Sequence, residues 1–353
     1  MYKKLPLKIN ADITTDCRNF YRFSVIGTNS DFDSWIANHY TQLYLNKSDY
    51  KCYYGMGGKL YNQQEYFDAI IKTERAYIND FKSDDELIKF IVEAINANKY
   101  IQIECNTPTL IDKAKDFYIH EILIYGYDLN EKVFFCPMYN ETKWEENKFS
   151  IESFLEAYNV RKEIANTITN TMVSGGFTNY AISIFSLRDN YKPYVSVEML
   201  CDDLKYILMK SYSVTKSTNC ADIITYNGVI SVINAYIDYC DKIQSMKLYY
   251  EYTDYKFPVS LKTLCEYISL FSKRMYIFEK HFDLNLSKEL YNMLDFIEVD
   301  IKKAFNLAIK YSIDKKERNI IKIKEKLERS AALLNNVLVD LMLRCTEYIE
   351  KNN

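Results

Sequence analysis

From about Val195 to the end of the chain, apolar residues recur at intervals of three and four, and few residues interrupt them. The last stretch, IIKIKEKLERSAALLNNVLVDLMLRCTEYIE, keeps that spacing over eight turns' worth of chain. Such spacing puts one apolar stripe along a helix, and a stripe must be buried against another element. It predicts helices over 195–212, 220–246, 260–282, 287–312 and 314–350, with Pro258 and the polar segment 249–257 as breaks. The expected architecture for this half is an antiparallel, all-α helical bundle.

The first half differs. It holds most of the glycine and several runs that alternate and are rich in β-branched residues. YIQIEC at 100–105, IHEILIYGY at 119–127, KVFFC at 132–136 and TNYAISIFS at 178–186 read as strands. The polar tetrapeptide 128–131 joins two of them as a hairpin. Residues 84–97 place Leu87, Phe90, Ile91, Ala94 and Ile95 on one helical face behind Ser83, a capping residue. A further helix is expected over 150–164, and a short amphipathic segment over 33–40. The expected fold class is α+β. A polar break at 188–193, RDNYKP, divides a domain at 1–190 from a helical domain at 191–353. Two domains suit 353 residues at roughly 100–200 residues each.

Composition removes whole classes of function. Hydrophobic residues at 48% exclude a disordered chain, and eight glycines and five prolines exclude collagen-like and low-complexity classes. A net charge of −3 lacks the positive field that nucleic-acid binding needs. The opening MYKKLPLKIN is charged but lacks the apolar core of an export signal, and nowhere do about 18 apolar residues run together as a span. A cytoplasmic protein with no membrane partner is the expectation. The nine cysteines include no CxxC pair, so they are expected as thiols, mostly small buried hydrophobes. No His/Cys spacing suits zinc, and GMGGK at 55–59 is too short for a phosphate-binding loop, so neither metal nor cofactor is expected. The 33 tyrosines are read first as compositional bias and second as the lining of a groove.

Three histidines bound the search for a general base. His281 falls at an expected helix C-terminus, where the dipole favours a cation, and reads as structural. His39 shows no partner. His120 opens a strand, six residues before Gly126-Tyr127, which puts an imidazole at a sheet rim. A nucleophile would sit at a helix N-terminus, where N–H groups and the dipole favour a thiolate. Cys17 follows Thr14, Thr15 and Asp16, and Arg18 and Arg22 follow it. It is therefore expected in a first helical turn with positive charge around it. Cys201, Cys220, Cys240, Cys265 and Cys345 fall inside amphipathic runs and read as core, and Cys105 and Cys136 lie on strands.

An N-terminal Cys at a helix start, followed about a hundred residues later by a strand His in the pattern H-x5-G-Y, resembles papain-like cysteine peptidases. More closely, HEILIYGYDLNEKVFF at 120–135 looks like the N-terminal domain of the butirosin biosynthesis protein H family. The likeness covers about residues 10–190. It implies a papain-like fold with an antiparallel sheet, and Cys17 and His120 as the catalytic pair. It also implies transfer of an acyl or peptidyl group from a carrier-protein thioester to an amine, such as a diamine, in nonribosomal-peptide-type antibiotic biosynthesis. A homodimer is left open. Two departures stand out. The position of the orienting Asn or Asp, counted sixteen residues after His120, is Cys136, a weak acceptor, and Asn140 is the second candidate. The usual oxyanion-hole Gln is missing, leaving Asn10 as the one amide nearby and the backbone N–H of Cys17 as a substitute. A thioesterase or peptidase using the same pair, and an inactive module that binds a peptide or a carrier protein, are the competing readings. An aromatic groove and a helical cap are what a synthase would need to exclude water.

Overall fold

The computed structural model describes residues 1–15, 17–29, 31–39, 42–46, 52–56, 59–60, 67, 69–111, 118–139, 143–167, 182–208, 212–215, 223–245 and 256–352. Among them the elements run, in order, β1 (Tyr2–Lys4), α1 (Cys17–Ile26), α2 (Phe32–Ala37), β2 (Gln42–Asn46), β3 (Cys52–Met56), β4 (Lys59–Leu60), β5 (Ile71–Ala76), α3 (Asp84–Asn96) and β6 (Tyr100–Asn106). They continue with α4 (Thr107–Leu110), β7 (Ile119–Ile124), β8 (Gly126–Asp128), β9 (Val133–Tyr139), β10 (Trp144–Ser150), α5 (Ile151–Thr167) and β11 (Ile182–Leu187). The remainder is α6 (Val197–Leu208), β12 (Tyr212–Thr215), β13 (Ile223–Asn227), α7 (Val229–Gln244), α8 (Lys256–Phe282), α9 (Lys288–Asp314) and α10 (Glu317–Asn352). The class is α+β, and every described strand pairing is antiparallel.

The chain divides into two compact units. The first takes residues 1–30 and 67–191, the second 31–66 and 192–353. A cut at 190 therefore assigns 31–66 to the wrong side. That segment is contiguous in sequence with the first unit, but its strands pair elsewhere.

In the first unit, β5-β11-β6-β7 form one sheet and β1-β8-β9-β10 another. The run 119–127, expected as one strand, passes from the first sheet to the second. β7 pairs with β6, Tyr125 interrupts, and β8 pairs with β1 and β9. Gly126 sits at this crossing. A Cβ there would lie 2.9 Å from the Lys3 carbonyl oxygen and 3.1 Å from the Phe135 ring, so only glycine lets β1 and β9 close on it. The hairpin turn is tied by Asp128, whose carboxylate accepts from the N–H groups of Asn130 and Glu131, with Lys132 left-handed at φ 54°. The charged opening of the chain forms the edge strand β1.

Helix ends follow their local chemistry. The Ser83 hydroxyl accepts from the N–H of Glu86 at the start of α3, while the Glu86 carboxylate accepts from the N–H of Lys82. Ser150 does the same for Ser153 at α5. From α5, the buried Arg161 reaches Glu104 on β6 with Nε and Nη2 both at 2.9 Å.

The second unit is not all-α, and the expected helices 195–212 and 220–246 are each shortened. β12 and β13 occupy 212–215 and 223–227 and join β2, β3 and β4 in a five-stranded sheet of order β12-β13-β2-β3-β4. The β-branched and aromatic runs YSVT and IITY favour extended chain, and β2 offers β13 a ladder (Tyr226 opposite Leu45) that no local periodicity reveals. Gly228, at φ 83°, turns from β13 into α7; a Cβ there would meet the Ile207 carbonyl oxygen at 3.1 Å. Pro258 does not break α8. It lies in the first turn, where the missing N–H has no intrahelical partner anyway. α9 and α10 form a helical hairpin turned by left-handed Lys315, and they bury Leu294, Ile297, Ile301, Ile323, Leu327 and Leu338. Each such side chain contributes about 1.5–3 kcal/mol on leaving water. Asp300, buried on α9, is held by Lys326 and Arg329 of α10. Arg274 of α8, also buried, donates from Nε to the carbonyl of Ile36 (3.1 Å) and from Nη2 to that of His39 (2.7 Å), capping the end of α2.

Candidate active site

Cys17 is the first residue of α1, and Tyr21 is one turn on, so the two side chains share a face. That face meets the start of β7. The Tyr21 hydroxyl donates to the Glu121 carbonyl oxygen at 2.8 Å, and Cys17 Sγ lies 3.3 Å from His120 Nε2. Two residues 103 apart in sequence are thus brought into contact by one helix turn docked on one strand end. Trp144 of β10 supports the approach to α1: its ring stacks on Phe20 at 3.8 Å and its Nε1 donates to the Thr14 carbonyl at 3.1 Å.

The start of β7 is held from both sides. His120 stands opposite Cys105 of β6. Before it, the N–H of Tyr118 donates to the Asn106 side-chain oxygen at 2.8 Å, and the Tyr118 ring stacks on the His120 ring at 5.5 Å. The Tyr118 ring is exposed, so the imidazole has an aromatic wall open to solvent.

Hydrogen bonding fixes the imidazole tautomer. His120 Nδ1 lies 2.9 Å from the Glu121 carbonyl oxygen, which can only accept. Nδ1 therefore carries the proton, and in the neutral ring Nε2 presents a lone pair to the Cys17 thiol. Glu121 closes the group. Its Oε2 lies 3.8 Å from Cys17 Sγ and 4.0 Å from His120 Nδ1. Its side chain is 14% exposed, against 29% for His120. A carboxylate in this position attracts an imidazolium and repels a second negative charge. The sequence pattern does not single out Glu121, since adjacent strand residues ordinarily point to opposite faces. The one available signal was its place beside the strand-opening histidine.

The other sequence candidates fall elsewhere. Cys136 is fully buried on β9, and burial pushes its thiol well up. With Gly126 opposite Phe135, the register carries Cys136 to Tyr125, not to His120, and the Glu121 carbonyl bonds His120 Nδ1. Asn140, the second orienting candidate, lies outside the described residues. Asn10 is exposed in the loop before α1. Arg22 is buried, with its guanidinium over the rings of Phe185 (4.9 Å) and Phe67 (5.4 Å). His39 belongs to the second unit, where Nδ1 donates to the Trp35 carbonyl and burial lowers its pKa to about 4. His281 is in the last turn of α8. Burial pushes the Cys240, Cys265 and Cys345 thiols up to about 12, and Cys105 further still. Cys201 is buried on α6, and Cys220 lies outside the described residues.

No zinc spacing exists in the sequence, yet the fold gathers one donor atom each from Cys17, His120 and Glu121 within 4.8 Å of one another. No helix among the described residues is long and apolar enough to cross a membrane. No family model matches the chain, and no curated protein matches it.

Proposed function

We propose that this chain is a cysteine-dependent acyltransferase with a papain-like first unit, and that it joins an acyl or peptidyl group to an amine. The observation that carries the reading is the 3.3 Å contact between the first-turn thiol of Cys17 and the unprotonated Nε2 of His120. His120 takes the thiol proton, and the sulfur attacks the carbonyl carbon of a carrier-protein thioester. The carrier thiol leaves with that proton, and an acyl-Cys17 thioester remains. An incoming amine attacks the same carbon, gives its proton to His120 and restores the thiol as the amide departs. In this reading the backbone N–H of Cys17, in the first turn of α1, serves the carbonyl oxygen as it becomes negative. The Glu121 carboxylate compensates the imidazolium between the two proton transfers.

The resemblance at residues 120–135 supports a carrier-bound donor and an amine such as a diamine as acceptor. A thioesterase uses the same first half-reaction, and the partial exposure of His120 gives water a route to the acyl-enzyme. Intact-mass analysis after incubation with simple acyl thioesters tests both. The acyl adduct is expected on the wild type and absent from Cys17→Ala. Added diamine then yields amide from a synthase, and free acid from a hydrolase. A wild type that takes up no acyl group from any thioester overturns the catalytic reading and leaves a binding module.

A further inference from the structure

We infer that Cys17, His120 and Glu121 also form a reversible binding site for a zinc-like divalent ion, which caps the nucleophile. The inference uses the same three side chains as the acyl-transfer reading but rests on their geometry alone, so it survives if that reading fails.

Three observations carry it. The donor atoms are gathered closely enough that small side-chain shifts bring them to the separations one tetrahedral ion imposes. Bonds of about 2.3 Å to sulfur and about 2.0 Å to nitrogen and oxygen put ligand atoms roughly 3.3–3.6 Å apart. Here Sγ–Nε2 is 3.3 Å and Sγ–Oε2 is 3.8 Å, and all three donor atoms lie within 4.8 Å. The imidazole is also already in the ligating tautomer. Nδ1–H donates to the Glu121 carbonyl, which is the outer contact that ligating histidines ordinarily make, and Nε2 is left as the donor toward the ion. Finally, the charges sum to zero. A thiolate and a carboxylate neutralise a dication, whereas the site without an ion holds a carboxylate close to a sulfur that must become negative to react.

Binding breaks the Cys17 S–H bond, forms an S–metal bond and releases the proton to solvent. Three protein ligands leave a fourth position, and the partial exposure of Cys17 and His120 gives water access to it. The bound ion occupies the sulfur lone pair and Nε2 together. The capped protein can neither form an acyl-enzyme nor alkylate at Cys17 until the ion is withdrawn.

Cobalt(II) serves as the probe, added to the full-length chain and read by thiolate-to-cobalt charge-transfer and d–d absorption. The expected result is one ion per chain in tetrahedral geometry, displaced by zinc. The charge-transfer band should vanish in Cys17→Ala, persist in the control Cys265→Ala, and need roughly tenfold or more cobalt in Glu121→Gln. If Cys17→Ala should fail to fold, Glu121→Gln alone still decides. Absence of the band in the wild type, or a band indifferent to both substitutions, overturns the proposal. Acyl uptake without cobalt binding defeats this inference and leaves the acyltransferase; cobalt binding without acyl uptake does the reverse.

Discussion

The two units both pair buried charges, as Arg161 with Glu104 in the first, and differ in what they leave part-exposed. In the second, Asp300 is held by Lys326 and Arg329, and Arg274 donates from Nε and Nη2 to the carbonyls ending α2. Its described helical cysteines sit within helix packing, and burial holds Cys240, Cys265 and Cys345 as thiols. The first unit instead leaves a thiol, an imidazole and a carboxylate part-exposed and in mutual contact at a helix start and a strand end. Groups that only stabilise a fold gain from full pairing. Groups that exchange protons with a substrate need an open side, and the Cys17, His120 and Glu121 group of the first unit keeps one.

The sharpest way to break the contrast is alkylation. Iodoacetamide followed by peptide mapping should modify Cys17 before Cys105, Cys136, Cys240 or Cys345, and Cys17→Ala should remove the fast phase altogether. Equal rates at Cys17 and at the buried thiols would erase the distinction between the units. Next in size is His120→Ala, which removes the base. Acyl-enzyme formation, followed by stopped-time mass spectrometry, should slow about 10²–10⁴-fold with the melting temperature little changed.

Structural effects come after. Gly126→Ala forces β1 away from β8 and should destabilise the first unit by about 1–3 kcal/mol in a urea titration. Asp300→Asn leaves Lys326 and Arg329 without their partner. Because the Arg329 side chain is largely exposed, the loss should be smaller than for a fully buried pair, about 1–3 kcal/mol in the second unit.

The smallest effect is titration of His39. Its folded value of about 4 lies below the ordinary 6.5, so the unfolded chain binds its proton first as pH falls. The stability from keeping it neutral is complete above pH 6.5 and is lost as pH falls from there towards 4. Thermal melts across that window should show it, and His39→Gln should flatten it. A melt equally pH-dependent in that variant would move the cause to another group.

Local signals were strong where a residue's partners are near in sequence. Ser83 and Ser150 marked helix starts that their hydroxyls do cap, and Asp128 marked the turn that its carboxylate ties. Cys17 at a helix start and His120 at a strand start were also legible, because each follows from the residues beside it. What failed was non-local. The strands at 212–215 and 223–227 were absorbed into helices because the ladder that holds them comes from 42–46, far upstream. Cys136 was counted to the wrong partner, since the count took no account of where the chain leaves one sheet for the other at Tyr125.

The sequence by itself determined the α+β class, the long C-terminal helices and two residues with the right chemistry at the right kinds of chain end. Periodicity, capping and side-chain type act over a few residues and are written in order along the chain. Tertiary structure alone decided that Cys17 meets His120, that Glu121 joins them, and that residues 31–66 belong with the second unit. Each of these depends on docking a helix turn or a strand edge against an element many residues away. The free energy of that docking comes from burial shared by the whole unit, so no short stretch of sequence carries it.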